Sequence, residues 1–202
     1  MSRIGGVVLI HGRGASPRSM LPLLAPLGLE GLPLEAPAAP GGSWWPTSFL
    51  APMAEMAAPI ADGLAAVDAA VAEIGMPRSH VALVGFSQGA CLTLEYAARQ
   101  GAGLGAVIGF SGGLVGTSDD GAPDPALYGH GGKAFDYEND LSGTQVLITC
   151  HEQDPHIPLK RAQASASVLT ALGADARLIE HPGGGHQPMP NGIVAARAIL
   201  GT

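Results

Sequence analysis

The sequence predicts an α/β fold of one domain, a mostly parallel sheet with helices on both faces, and three observations carry that reading. Short apolar runs rich in β-branched residues alternate along the chain with longer segments of helical period. The runs are apolar throughout rather than at every second residue, as in strands covered on both faces. At 202 residues and 47% hydrophobic content, the chain is long enough for one well-buried core and short for two.

Each element follows from its local chemistry. Residues 4–10 are a first strand, ended by His11-Gly12-Arg13-Gly14. Ser16-Pro17 offers an N-cap and a first-turn proline for a helix to about Leu27, and residues 32–36 make a short strand. The loop PAAPGGSWWPTSF then holds both tryptophans, Trp44 and Trp45. From about 51 to 74, Met53, Met56, Ile60, Leu64, Val67, Val71 and Ile74 recur every three or four residues, which predicts a long amphipathic helix stopped by Gly75 and Pro77. Residues 80–85 are a central strand with a helix starting just beyond it. Further strands fall at 106–110, 145–150 and 176–180, and further helices at 159–172, entered through Pro158, and at 193–200. Residues 112–143 are irregular and acidic. Their Asp136-x-Glu138-x-Asp140 spacing resembles a calcium loop, but the sixth position is Leu141 rather than glycine and the twelfth is Leu147 rather than glutamate. They are expected to form a solvated loop along one wall of the site.

Composition excludes several partners. With 13% charged residues and a net charge of −7, the chain offers no basic surface to nucleic acid or to an anionic membrane. Cys91 and Cys150 read as reduced, half-buried thiols of a cytoplasmic protein. The opening MSRIGGVVLIHG lacks the length and cleavage site of a signal peptide and reads as the first strand. A homodimer is left open.

The chemistry is expected at Val81 to Gly89, where an apolar strand runs into Gly85-Phe86-Ser87-Gln88-Gly89 and a helix-forming segment follows at once. A serine on that strand-turn-helix bend has its hydroxyl exposed at the top of the sheet, and glycines on either side remove Cβ atoms that would collide. A second G-x-S-x-G, around Ser111, leads instead into GGLVGTSDDGAPDP, which cannot continue as a helix. Ser87 is therefore the candidate nucleophile. It needs a base, and the base needs a carboxylate to fix its tautomer; in α/β-hydrolases these come in the order Ser, acid, His. Of seven histidines, His186 lies in a glycine-rich loop after the last strand. Asp154 lies deeper than Glu152 in the loop after the 145–150 strand. The oxyanion donors are expected from the amides of Gln88, at the helix start, and Arg13, between two glycines. A zinc site of His11, His151 and His156 is set aside because their spacing matches no ligand motif, and no cofactor is expected.

Five stretches, LIHGRGAS at 9–16, GGSWWP at 41–46, GFSQGA at 85–90, DPHIP at 154–158 and GGGH at 183–186, resemble the phospholipase/carboxylesterase family of small α/β-hydrolases. The resemblance spans nearly the whole chain. It implies Ser87, Asp154 and His186 as a triad and the amides of Arg13 and Gln88 as an oxyanion hole. The chain departs from the family at His151 and at Arg13, and it is short, with a minimal lid or none. Trp44, Trp45 and His156 are candidate substrate-binding residues. The expected activity is hydrolysis of a small ester with a short or aromatic acyl group, on the ground that an arginine buried by the cleft disfavours long chains. An acyl thioesterase or lysophospholipase, a dienelactone-hydrolase-like enzyme, and a non-catalytic ligand-binding member of the fold are the alternatives.

Overall fold

The computed structural model describes residues 4–202; Met1 to Arg3, which open the leader reading, lie outside the described residues. Six parallel strands form one sheet in the order β2-β1-β3-β4-β5-β6. They are β1 Gly6–Ile10, β2 Leu34–Glu35, β3 Val81–Phe86, β4 Ala106–Phe110, β5 Gln145–Gln153 and β6 Asp175–Gly184. The helices are a single turn α1 Leu24–Leu27, then α2 Met53–Glu73, α3 Gln88–Gln100, α4 Leu159–Ala171 and α5 Pro190–Leu200.

The uniformly apolar strands are explained by two cores. Successive side chains of a strand point to opposite faces, so Val8, Ile10, Val81 and Leu83 join α2, α3 and α4 in one cluster. Val7, Leu9, Ala82 and Val84 join Met20, Leu27 and α5 in the other. Each fully buried Val, Leu or Ile contributes roughly 1.5–3 kcal/mol, and strands that supply both faces cannot alternate with polar residues.

Two expectations are corrected. The segment after Ser16 is a 3-10 helix, Pro17–Leu23, followed by the one turn of α1, and the Ser16 hydroxyl caps nothing. Pro22 lies inside that segment and Pro26 beyond it; each removes a backbone donor, and a continuous α-helix cannot run through both. The 112–143 segment is a solvated loop only beyond its first part: residues 112–117 are all buried while most of 118–143 are exposed or partly so, and the buried part pairs with the approach to α2 through Gly116 N–H to the Phe49 carbonyl (2.6 Å) and Met53 N–H to the Thr117 carbonyl (3.0 Å). No helix among the described residues is long and apolar enough to cross a membrane.

Candidate active site

Strand β3 delivers Ser87 at φ 55°, ψ −121°, and α3 begins at the next residue. That backbone costs an L-residue about 1–3 kcal/mol; the packing around it holds it there. A Cβ on Gly85 would stand 2.4 Å from the Gly89 carbonyl oxygen, and one on Gly89 would stand 2.1 Å from that of Ile10. Only glycine lets α3 press this closely on the strands. Ser111, in the second match, also has φ 55°. It is 1% exposed, its hydroxyl has no hydrogen-bond partner, and no helix follows it. The turn recurs there without a base or an opening.

Three sequence-predicted residues from three separate loops meet. His186 Nε2 lies 2.8 Å from Ser87 Oγ, and its Nδ1 lies 2.9 and 2.8 Å from the two oxygens of Asp154. Asp154 Oδ1 also accepts the N–H groups of His156 (2.8 Å) and Ile157 (3.0 Å). Burial pushes this carboxyl's pKa up, but the hydrogen bond from His186 and the two amides outweigh it and hold it below the ordinary carboxylate range. Glu152 is exposed and only accepts the Gly183 N–H at 3.2 Å.

An open cleft of about 730 Å³ stands over Ser87. Phe86, one residue before the serine, sits with its ring centroid 5.2 Å from that of His186, and His156 meets the same imidazole edge-on at 4.7 Å. Trp45, Phe49 and Tyr128 complete the walls. Tyr128 donates its hydroxyl to the Asp154 carbonyl and is the one residue of the 112–143 segment to reach the cleft. Sequence reasoning missed Phe86 and Tyr128. The first was readable as the neighbour of the elbow serine; the second carries no local signal.

The amides expected to receive an oxyanion border the cleft. Gln88 is the first residue of α3, so its N–H is one of the four that a helix leaves without an internal partner. The Arg13 N–H bonds to no acceptor among the described residues. Gly12, beside it, passes so near the elbow that a Cβ would stand 3.2 Å from Ser87 Cβ.

Several side chains differ from expectation. Trp45 borders the cleft, but Trp44 does not; its Nε1 donates to the His11 carbonyl at 2.8 Å and its ring packs on His11 at 5.2 Å. Arg13 is exposed rather than buried and unpaired, and it donates to the carbonyls of Pro46 (2.7 Å) and Thr47. The desolvation penalty expected to reject long acyl chains is therefore absent. The cysteines are not half-buried: Cys91 and Cys150 are fully buried, and burial pushes both thiols up to about 12. His11, His151 and His156 do not converge, and no group of three or more metal-binding side chains assembles among the described residues. His11 accepts the Ala39 N–H at 3.1 Å. His151 packs on His181 at 5.1 Å, under the glycine-rich loop, where a Cβ on Gly185 would stand 2.7 Å from the His151 ring. Burial, and then the neighbouring His151, push the pKa of His181 below the ordinary histidine value.

The family model described as Phospholipase/Carboxylesterase matches residues 5–119. A crystal structure of a phospholipase/carboxylesterase from Dyadobacter fermentans is 33% identical, with TM-score 0.85 over 100% of this chain and 91% of that one. Esterase PE8 is 28% identical, with TM-score 0.72 over 98% and 92%. Acyl-protein thioesterase 1 of Gibberella zeae is 28% identical over 126 residues, 62% of this chain and 49% of that protein, so the match spans about half of its length.

Proposed function

The chain belongs to the phospholipase/carboxylesterase family, and from that premise we propose that it is a serine hydrolase cleaving small carboxylic esters, short-chain or aromatic, through an acyl-enzyme on Ser87. The observation that carries this reading is the unbroken hydrogen-bond path from Ser87 Oγ through His186 to Asp154. In the first half-reaction Ser87 Oγ attacks the ester carbonyl carbon while His186 Nε2 takes its proton. The carbonyl oxygen becomes an oxyanion facing the amides of Arg13 and Gln88, and the imidazolium then protonates the departing alcohol. Water enters, gives a proton to His186 and attacks the acyl carbonyl, and His186 then returns that proton to Ser87 Oγ as the carboxylic acid leaves. Asp154 keeps its charge throughout; it orients Nδ1–H and offsets the imidazolium.

For the acyl group, Trp45, Phe49 and Phe86 offer aromatic walls near the serine. Ser19, Thr47 and Ser48 border the same cleft, and a long aliphatic chain would strip water from their hydroxyls. The similarity to an acyl-protein thioesterase extends the same reading to thioesters, because an ester and a thioester of one acid give the same acyl-enzyme, which deacylates in the same way.

Two measurements test the proposal. Ser87→Ala is expected to lose turnover of p-nitrophenyl esters by about 10³-fold or more, and to lose labelling by a fluorophosphonate, while Ser111→Ala keeps both. Equal labelling of Ser87→Ala and the parent would overturn it. Across an acyl-length series, kcat/KM is expected to be greatest from acetyl to butyryl.

A further inference from the structure

The two residues whose amides face the oxyanion position both turn their side chains onto one segment. Gln88 Oε1 accepts the Trp44 N–H at 3.0 Å, and Gln88 Nε2 donates to the Trp45 carbonyl at 2.8 Å. Arg13 Nη1 donates to the Pro46 carbonyl at 2.7 Å, and Nη2 donates to the Thr47 carbonyl. Four successive residues, 44 to 47, are thus gripped in order, the first two from α3 and the last two from the loop after β1. We propose that the Arg13 and Gln88 side chains are positioning residues that clamp this segment and thereby fix the two oxyanion amides. The inference rests on the serine-hydrolase reading of the site and deepens it.

Local sterics do not hold the Arg13 peptide. It stands between Gly12 and Gly14, the latter at φ 66°, and glycine on both sides leaves the backbone more conformations than any other residue would. An oxyanion hole works because its donors are aimed before the charge forms. The turn is closed only by a long bond from the Ala15 N–H to the Gly12 carbonyl (3.3 Å); the guanidinium fork, spanning two adjacent carbonyls, adds a restraint toward the 44–47 segment that a single ammonium cannot supply in full. Gly14 adds a second tie, its N–H donating to the Gly42 carbonyl at 2.8 Å. Gln88 is only 5% exposed and both ends of its amide are bonded, so turning it away would leave buried peptide groups of Trp44 and Trp45 unpaired. With their polar atoms committed to the segment, both side chains act through their own backbones. Trp45, Pro46 and Thr47 also border the cleft, so the clamp joins the cleft wall to the hole.

The test compares Arg13→Met, Arg13→Lys, Gln88→Leu and the Arg13→Met/Gln88→Leu double variant on p-nitrophenyl butyrate, with a trifluoromethyl ketone as a mimic of the tetrahedral adduct. Arg13→Met is expected to lower kcat about 10- to 30-fold and to weaken the ketone by the same factor, with KM changed less than about threefold, since one misaimed donor costs less than the roughly 10²-fold or more of a deleted one. Arg13→Lys should recover part of the loss, and the double variant should lose less than the product of the singles, because one clamp is being broken twice. Arg13 lies at the surface, so its variants test the clamp even where Gln88→Leu folds poorly. Unchanged kcat and ketone affinity in Arg13→Met would overturn the proposal, as would a loss that tracks a lower Tm and is not recovered by lysine. A parent protein that neither turns over esters nor labels at Ser87 would instead overturn the hydrolase reading, and the clamp with it.

Discussion

At Asp154 burial and bonding act in opposite directions. The carboxylate is 1% exposed, yet the His186 ring and two amides keep it ionised. A carboxyl whose folded pKa lies below its unfolded value contributes stability that is fully present above the ordinary value of 3.8 and is lost as pH falls through the folded pKa. Asp154→Asn should therefore melt below the parent at neutral pH, and the gap in Tm should close as pH is lowered past that value; a gap that widens in acid would contradict the assigned direction. The same variant should retain its fold and lose roughly 10⁴ in kcat by freeing the wrong imidazole tautomer. Glu152→Gln, whose carboxylate reaches only the Gly183 amide, should lose almost nothing. Ser87, Asp154 and His186 were legible because each follows a strand end at a glycine- or proline-marked turn. The roles of Trp44 and of the Arg13 side chain were not, since both are decided by partners more than thirty residues away.

Element by element, the strands and the longer helices were legible in the chain, while the 17–27 helix, several element ends and the buried start of the 112–143 segment were not. Strand β6 runs on to Gly184, past the expected stop at Glu180, because it lies at the sheet edge, where Pro182 interrupts no ladder on the open side. In the 112–143 segment the acidic pattern concealed an alternation. Lys133, Phe135, Tyr137 and Asn139 are partly buried, while Ala134, Asp136, Glu138 and Asp140 are exposed. The calcium-like spacing is thus the outer half of an extended stretch. Its inner half closes on Glu95 of α3, fully buried, which accepts from Arg99 Nε (2.7 Å), the Val115 N–H (2.9 Å) and the Tyr137 hydroxyl (2.8 Å), with Lys133 Nζ at 3.6 Å. Burial pushes the pKa of Lys133 down and Glu95 opposes it. Glu95→Gln leaves that ammonium buried without its counter-charge, which should cost about 3–5 kcal/mol. For a chain of this size the Tm should fall by roughly 10 °C. Glu138→Gln, on the exposed half, should change stability by less than about 0.5 kcal/mol. Equal melting of the two variants would make the network an ornament rather than the tie that holds the segment against α3.

Across the whole molecule, the candidate site exists only when distant parts of the sheet are in register. Ser87 and His186 are 99 residues apart in the chain, and Asp154 lies 32 before the histidine. They belong to the ends of β3, β5 and β6, whereas both tryptophans are buried beside His11 and α3 near the end of β1. Tryptophan fluorescence therefore reports the β1 side of the cleft, whose wall Trp45 lines, while enzyme activity also requires the β5 and β6 ends. The edge strand β6 has one neighbour, but its pairing with β5 runs from Gln145↔Asp175 to Gln153↔Gly184 and continues across an irregularity after His151. Its His181 is buried against His151, and α4 packs across β5 and β6. An edge held over that length should not open before the centre, because each core cluster draws side chains from β1, β3, β4 and β5 together. In urea, loss of esterase activity and the shift of tryptophan emission should share one midpoint, as a cooperative two-state transition requires. Activity vanishing at a lower urea concentration than the tryptophan transition would make β6 and α5 a separately opening unit. His186 would then be carried on the weaker part of the sheet and Ser87 on the stronger.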